Sequence, residues 1–284
     1  MSVQSTIESA IASLSPSERR VAESIRSNPS IVLSHTITEL ADASATSMAT
    51  VVRFCRSIGL PGYSHLRMRL ATELGLEAAQ FGPTLTSGSD IRVEDSLAEA
   101  LAKIASLEKL AIDETIGAVD LAGMETLVGA LDRSSRVVCF GMGASHVVAQ
   151  DLASKLARLG LNALCPADSH DAWVHAALAP GDAVAIGFSH SGQTEETIRF
   201  LDIASEQGVF TVAITSVVKS DLARDADLVV RTVARDTSLR SGAMVSRIAQ
   251  LCVVDAIAVA YGRLHYEDTV DALHLASQTI HKSI

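Results

Sequence analysis

The 284-residue chain holds little that would tie it to redox, metal or membrane chemistry. Its four cysteines, Cys55, Cys139, Cys165 and Cys252, lie far apart, and no two stand at the two- or four-residue spacing of a zinc site or a redox dithiol. They read as buried thiols of a reducing compartment, and no metal or cofactor is expected. No basic segment followed by an apolar core opens the chain, and no stretch reaches the roughly 18 uninterrupted apolar residues of a membrane span. The longest apolar run, Ile248 to Tyr261, is broken by Gln250 and Asp255 and is expected as a buried helix, so no membrane partner is expected. Aromatic residues are scarce at 4%, yet 48% hydrophobic and 20% charged residues leave no compositional case for disorder. The expectation is a soluble cytoplasmic protein, long enough for two domains.

Basic residues are also in deficit. A net charge of -10 excludes indiscriminate coating of nucleic acid or anionic membrane. The deficit is uneven, because residues 1–77 carry seven Arg against seven acidic residues and are neutral. Between Ala43 and Thr72 there is no Asp or Glu at all, while Arg53, Arg56, Arg67 and Arg69 fall there. An acidic protein thus carries one local cationic patch.

That patch lies among short predicted helices. Ser15-Pro-Ser-Glu18 has the capping-box spacing with proline at the first helical position, and Asn28-Pro29 ends the helix. Thr36-Ile-Thr-Glu39 repeats the signal for a second helix, and Ser47 caps a third from Met48 to about Ser57, closed by Gly59. Two short helices joined by a tight turn, the second free of acid, outline a DNA-binding helix-turn-helix, although a generic helical hairpin shares the pattern. On the third helix Val51, Val52, Cys55 and Ile58 are expected to be buried. Ser47, Met48, Thr50, Arg53 and Arg56 then face outward to read base edges and phosphates, with Arg67 on the next helix.

Residues 78–92, rich in Gly, Ser and Thr, are expected to be a linker, and residues 93–284 a second domain. A helix from about Val93 to Val119 and another near Met124 to Leu131 lead into it. From Arg136 on, apolar runs alternate with helix-length segments, which predicts five strands in a parallel sheet flanked by helices: Arg136–Gly141, Asn162–Cys165, Asp182–Phe188, Val209–Thr215 and Asp227–Thr232. Ligands of such sheets sit outside the carboxyl ends of the strands. Two loops fall there, Gly141-Met-Gly-Ala-Ser145 and Ser189-His-Ser-Gly-Gln-Thr194. Glycine, short hydroxyls and a helix N-terminus together suit one compact anion such as phosphate, and the same hydroxyls can cap a helix with no ligand. The dinucleotide fingerprint is incomplete, because His146 replaces its third glycine and Asp168, the nearest acid, follows the strand in a loop.

The segments Leu14–Ile25 and Ala49–Tyr63 resemble the helix-turn-helix domain of RpiR/MurR transcriptional regulators. The loops just quoted, with Arg240-Ser-Gly-Ala-Met-Val-Ser-Arg-Ile-Ala-Gln250, resemble their sugar isomerase (SIS) domain. The likeness covers nearly the whole chain in the same domain order. It implies a non-enzymatic regulator that binds operator DNA as a homodimer or homotetramer and senses a phosphorylated sugar. It further implies that Ser145, Ser189, Ser191 and Thr194 hold the ligand phosphate, with Gly192 allowing close backbone approach, and that Ser47, Thr50 and Arg53 belong to the recognition helix. Further possible ligand contacts are Gly143, His190, Gln193, Asp168, His170, Arg240 and Ser241; Arg240 could equally pair with Asp236. One departure is Ala45, where the family has glycine in the turn, so the turn is expected to differ slightly. A sugar-phosphate isomerase with an accessory helical domain is the alternative, because His170, His175, His190, Glu195 and Glu196 could supply an acid or base. Helix-end or surface roles explain them as well.

Overall fold

The structure is a computed structural model that describes residues 2–81, 91, 95–234, 243–267 and 270, and the side chains of these apart from residues 9, 12 and 76–81. The chain divides into two compact units, residues up to Gly117 with Val233–Val245, and Ala118–Thr232 with the residues from Ser246 on.

The first unit is helical: α1 (Val3–Ala10), α2 (Pro16–Ser27), α3 (Ile31–Ser34), α4 (Ile37–Ala43), α5 (Met48–Ser57), α6 (Tyr63–Phe81) and α7 (Leu97–Gly117). The caps expected from sequence are present. The Glu18 carboxylate accepts from the Ser15 backbone N–H at 3.2 Å and from its hydroxyl, and the Glu39 carboxylate accepts from the Thr36 N–H at 2.7 Å. Each satisfies N–H groups that have no partner within the helix. Val21, Ile25, Val32, Leu40, Val51, Phe54, Cys55, Leu66 and Leu70 form one core. Glu73 of α6 closes the start of α1, accepting from the Val3 N–H at 2.6 Å and the Gln4 side chain at 2.8 Å.

Two boundaries differ from the sequence expectation. Residues 78–81 are the last turn of α6 rather than linker; residues 82–90 and 92 of the expected linker lie outside the described residues. By its contacts α7 belongs to the helical unit, whereas the sequence pattern groups it with the domain that follows. It buries Lys103, Leu107, Ala111 and Thr115. Lys103 Nζ pairs with Asp95 at 2.6 Å, and the Thr115 hydroxyl donates to the Val233 carbonyl at 3.1 Å and accepts from its N–H at 3.0 Å. Val233 comes from a segment more than a hundred residues beyond Thr115, which no local pattern reveals.

The second unit runs α8 (Leu121–Arg133), β1 (Val137–Gly141), α9 (Ala144–Arg158), β2 (Ala163–Leu164), α10 (Ser169–Ala177), β3 (Val184–Phe188), α11 (Glu195–Glu206), β4 (Phe210–Thr215), α12 (Asp221–Arg224), β5 (Leu228–Arg231) and α13 (Met244–Leu264). The strands fall on the expected apolar runs, one or two residues shorter, and form a parallel sheet in the order β2-β1-β3-β4-β5. Burial on both faces explains why β1 and β3 are apolar throughout. Val137 and Cys139 pack into one core with Leu127, Leu152, Leu156, Val253 and Ile257, while Val138 and Phe140 face the other with Ala172, Phe200 and Ala204. By length and composition α13 could cross a membrane, but Val253, Val254 and Ile257 are fully buried in the core on the sheet.

Candidate functional site

Chain order reverses between β1 and β3: β2 lies on one side of this pair and β4 and β5 on the other. Gly141 pairs with Phe188 in the β1–β3 register, so the loops that leave these strands emerge side by side at the carboxyl edge. A crevice at such a reversal is where open α/β sheets bind ligands.

The β1 loop is shaped by glycine. A Cβ on Gly141 would lie 2.9 Å from the Phe188 carbonyl oxygen and 3.0 Å from the Ser145 backbone, and Gly143 has φ of 57° and ψ of -123°. Only glycine reaches that conformation without strain. Gly143 leads into α9, and Ser145, its second residue, is half-buried with its hydroxyl donating to Gln250 Oε1 at 3.2 Å.

The β3 loop is fastened from below. Ser189 is 2% exposed; its Oγ accepts from the Gly192 N–H at 3.1 Å and lies 2.9 Å from Thr194 Oγ1. The His190 carbonyl accepts from the Ser216 N–H at 3.1 Å, the Ser216 hydroxyl at 2.8 Å and the Thr215 hydroxyl at 3.1 Å. Gly192 has φ of +66°, and a Cβ there would stand 2.0 Å from Ser220 Oγ. Ser191 and Gln193 are exposed, with the Gln193 N–H directed to Ser191 Oγ at 3.3 Å. Thr194 is the residue before α11 but makes no side-chain capping bond, because its hydroxyl is turned to Ser189. The ordinary-cap reading of these hydroxyls therefore does not describe Thr194.

Asp168 and His170 have structural partners. Asp168 is not a free loop acid: it caps α10, accepting from the Asp171 N–H at 3.0 Å. His170 is exposed and stands edge-on to Trp173 at 5.4 Å, and Trp173 donates to the Glu196 carbonyl at 3.1 Å beneath an Arg199 guanidinium 4.3 Å away. His175 lies on α10, and Glu195 and Glu196 form the first turn of α11, where negative charge is favoured. Arg240, Ser241 and Asp236 lie outside the described residues. Burial raises the Cys139 and Cys165 thiols, the latter to about 11, which suits inert cysteines.

In the helical unit α4 ends in a left-handed turn. Ala45 takes φ of 48°, the Thr46 N–H bonds the Ala41 carbonyl at 2.8 Å and the Ala45 N–H the Asp42 carbonyl at 3.0 Å. The turn is thus the kind a glycine would make, contrary to the expected departure, at a cost of about 1 kcal/mol for the alanine. Arg20 donates to the Ala45 carbonyl at 3.2 Å. Ser47 accepts from the Thr50 N–H at 3.2 Å and starts α5. Ser47, Met48, Arg53 and Arg56 are exposed as expected, but Thr50 is not: it is 4% exposed and Phe54 is fully buried. Thr50 precedes Phe54 by one turn and shares its inward face. Its Oγ1 lies 3.0 Å from Ser47 Oγ and accepts from Arg53 at 3.3 Å, so it orients two exposed neighbours. Arg67 is exposed and donates to the Leu33 carbonyl at 2.8 Å. Glu18 also accepts from the Ser57 hydroxyl at 2.9 Å; its bonds from Ser15 foremost, then Ser57, with the nearby Arg53 charge, hold its carboxyl below the usual range.

Residues 1–77 match the helix-turn-helix domain of the rpiR family, and residues 130–260 match the SIS domain. An HTH-type transcriptional regulator of Caldanaerobacter subterraneus is 34% identical over 279 residues, covering 98% of this chain and 96% of that protein. The chain belongs to the rpiR family. A second HTH-type regulator, from Haemophilus influenzae, is 33% identical over 90% of this chain and 88% of its own length. Among solved structures, the Vibrio vulnificus NanR protein complexed with ManNAc-6P is similar over 99% of both chains, with a TM-score of 0.62 and 26% identity. The sugar isomerase domain of an RpiR transcription factor from Sphaerobacter thermophilus shares the fold, with a TM-score of 0.58 over 63% of this chain and 98% of that one.

With an rpiR-type regulator in view, the residues that sequence reading passed over are those beneath the loops. Thr215, Ser216 and Ser220 brace the β3 loop, and Gln250 meets Ser145 from α13. Only Gln250 left a signal, as one of the two polar residues that interrupt the apolar run of its helix.

Proposed function

We propose that this regulator binds operator DNA through the exposed face of α5, as a dimer or higher oligomer in the cytoplasm, and that a phosphorylated sugar held between the β1 and β3 loops changes its operator affinity. The observation that carries the proposal is the pair of glycine-shaped loops at the β1–β3 reversal, with the Ser145, Ser191 and Thr194 hydroxyls beside the starts of α9 and α11. Hydroxyls and backbone N–H groups at helix starts favour a compact anion. The likeness, over nearly the whole of both chains, to a protein complexed with ManNAc-6P supports the same ligand class. In this reading Ser189, being buried, shapes the loop, while Ser191 and the N–H groups near Gly192 meet the phosphate. Gly143, His190 and Gln193 border the same space.

On the DNA side, Ser47 and Met48 at the start of α5 approach base edges, Arg53 and Arg56 approach phosphates, and Arg67 lends charge from α6. An effector coupling of about 1–3 kcal/mol changes operator affinity about 5- to 150-fold. The test is a gel shift with DNA flanking the protein's own gene, repeated with a panel of phosphosugars. Ser191→Ala is expected to lose the response to phosphosugar and to retain the shift. A folded Ser191→Ala protein that responds like the parent would overturn the assignment, and turnover of an aldose or ketose phosphate would favour the isomerase instead.

A further inference from the structure

We propose that Gln250 of α13 is a positioning residue for the effector loop, exchanging donor and acceptor roles with Ser145 when phosphate binds. The inference rests on the phosphate reading of the β1 loop. The Ser145 hydroxyl donates to Gln250 Oε1 at 3.2 Å. A hydroxyl has a single proton, so the hydrogen now given to Gln250 is the one a phosphate oxygen would require. Gln250 is 1% exposed, and its Nε2 has no hydrogen-bond partner among the described residues. A buried amide donor without a partner is uncommon and costly. One turn earlier, Ser246 is equally buried, and its Oγ also lacks a partner among the described residues. The spacing of four places both on one side of α13. The inward side of α13 therefore begins with two incompletely bonded polar groups, one of them touching the effector loop.

Phosphate binding completes the pattern. Once the Ser145 proton turns to a phosphate oxygen, Gln250 Oε1 loses its donor and Ser145 Oγ is free to accept. A half-turn of the Gln250 amide about its last torsion brings Nε2 to that oxygen. Hydrogen bonds then run in one direction, from Gln250 Nε2 to Ser145 Oγ and from Ser145 to phosphate, each polarising the next. The unpaired group changes from an N–H to a carbonyl, which tolerates the loss better. Occupancy of the loop thereby changes the bonding of α13. Farther along, Lys155 of α9 bonds Asp255 of α13 at 2.6 Å, so the two helices stay tied while their starts rearrange.

Calorimetric titration of the full chain with inorganic phosphate and with ManNAc-6P tests this. Gln250→Met removes the donor and is expected to weaken binding about tenfold. Gln250→Glu can only accept and adds negative charge beside the phosphate, so its loss is expected to exceed about a hundredfold. Adding Gln250→Met to Ser145→Ala is expected to produce no further loss, because Gln250 acts through that hydroxyl. Parental affinity in a folded Gln250→Met protein, or losses that simply multiply in the double variant, would overturn the inference. If Gln250→Glu fails to fold, Gln250→Met and the double variant decide. A parent that binds neither probe overturns the phosphate reading itself, and with it this one; a parent that binds, with Ser191→Ala impaired and Gln250→Met unchanged, overturns only the role of Gln250.

Discussion

Arg53 and Arg56 stand exposed on α5, with Arg53 bonded to Thr50 within the helix and Glu18 meeting the helix at its last residue, Ser57. Gly192 and Ser189, in contrast, lie buried in their own loop, against Ser220, Thr215 and Thr194. One unit presents its candidate chemistry on long side chains over a finished core. The other builds it from backbone and short hydroxyls that are themselves part of the packing. Function and folding can therefore be separated in one unit and not in the other: a change at an exposed α5 residue such as Arg53 should alter binding and leave stability, whereas a change in the β3 loop should alter both.

The largest effect is expected at Gly192. Gly192→Ala drives a Cβ to within 2.0 Å of Ser220 Oγ at a φ of +66°. Adding left-handed strain to overpacking gives roughly 2–6 kcal/mol of destabilisation, measured by denaturant unfolding. Ser220→Gly in the same chain should recover the overpacking share and leave the strain. An alanine variant as stable as the parent would break the comparison. At Arg53 the expectation is reversed. Arg53→Ala should weaken operator binding by about 1–3 kcal/mol and flatten its salt dependence, with unfolding unchanged to within about 0.5 kcal/mol. A large loss of stability there would mean that α5 is not the independent face it resembles. The smallest effect sharpens the same point: Ala45→Gly, at φ of 48°, should raise the stability of the helical unit by up to about 1 kcal/mol and leave operator specificity alone.

Much of this was legible from sequence because it is local. Ser15 with Glu18 and Thr36 with Glu39 lie three residues apart, and the N–H groups they satisfy lie within the same turn. The apolar runs of β1, β3 and β4 announced a sheet covered on both faces, and the glycine loops followed from strand ends. Thr50 was misread because its polarity suggested exposure, while its helical phase aligned it with Phe54. A hydroxyl can enter a core when neighbours such as Ser47 and Arg53 satisfy it.

Taken alone, the sequence determined the five strands, the caps at Ser15, Thr36 and Ser47, the arginine-rich face and the two loops, since each depends on residues within a turn or on one apolar run. Tertiary structure decided that α7 joins the helical unit, that Ala45 adopts the left-handed turn, that Thr215 and Ser216 anchor the β3 loop, and that Gln250 meets a serine 105 positions away. These outcomes depend on which surfaces are pressed together when the apolar faces leave water, and that is set by the whole chain at once.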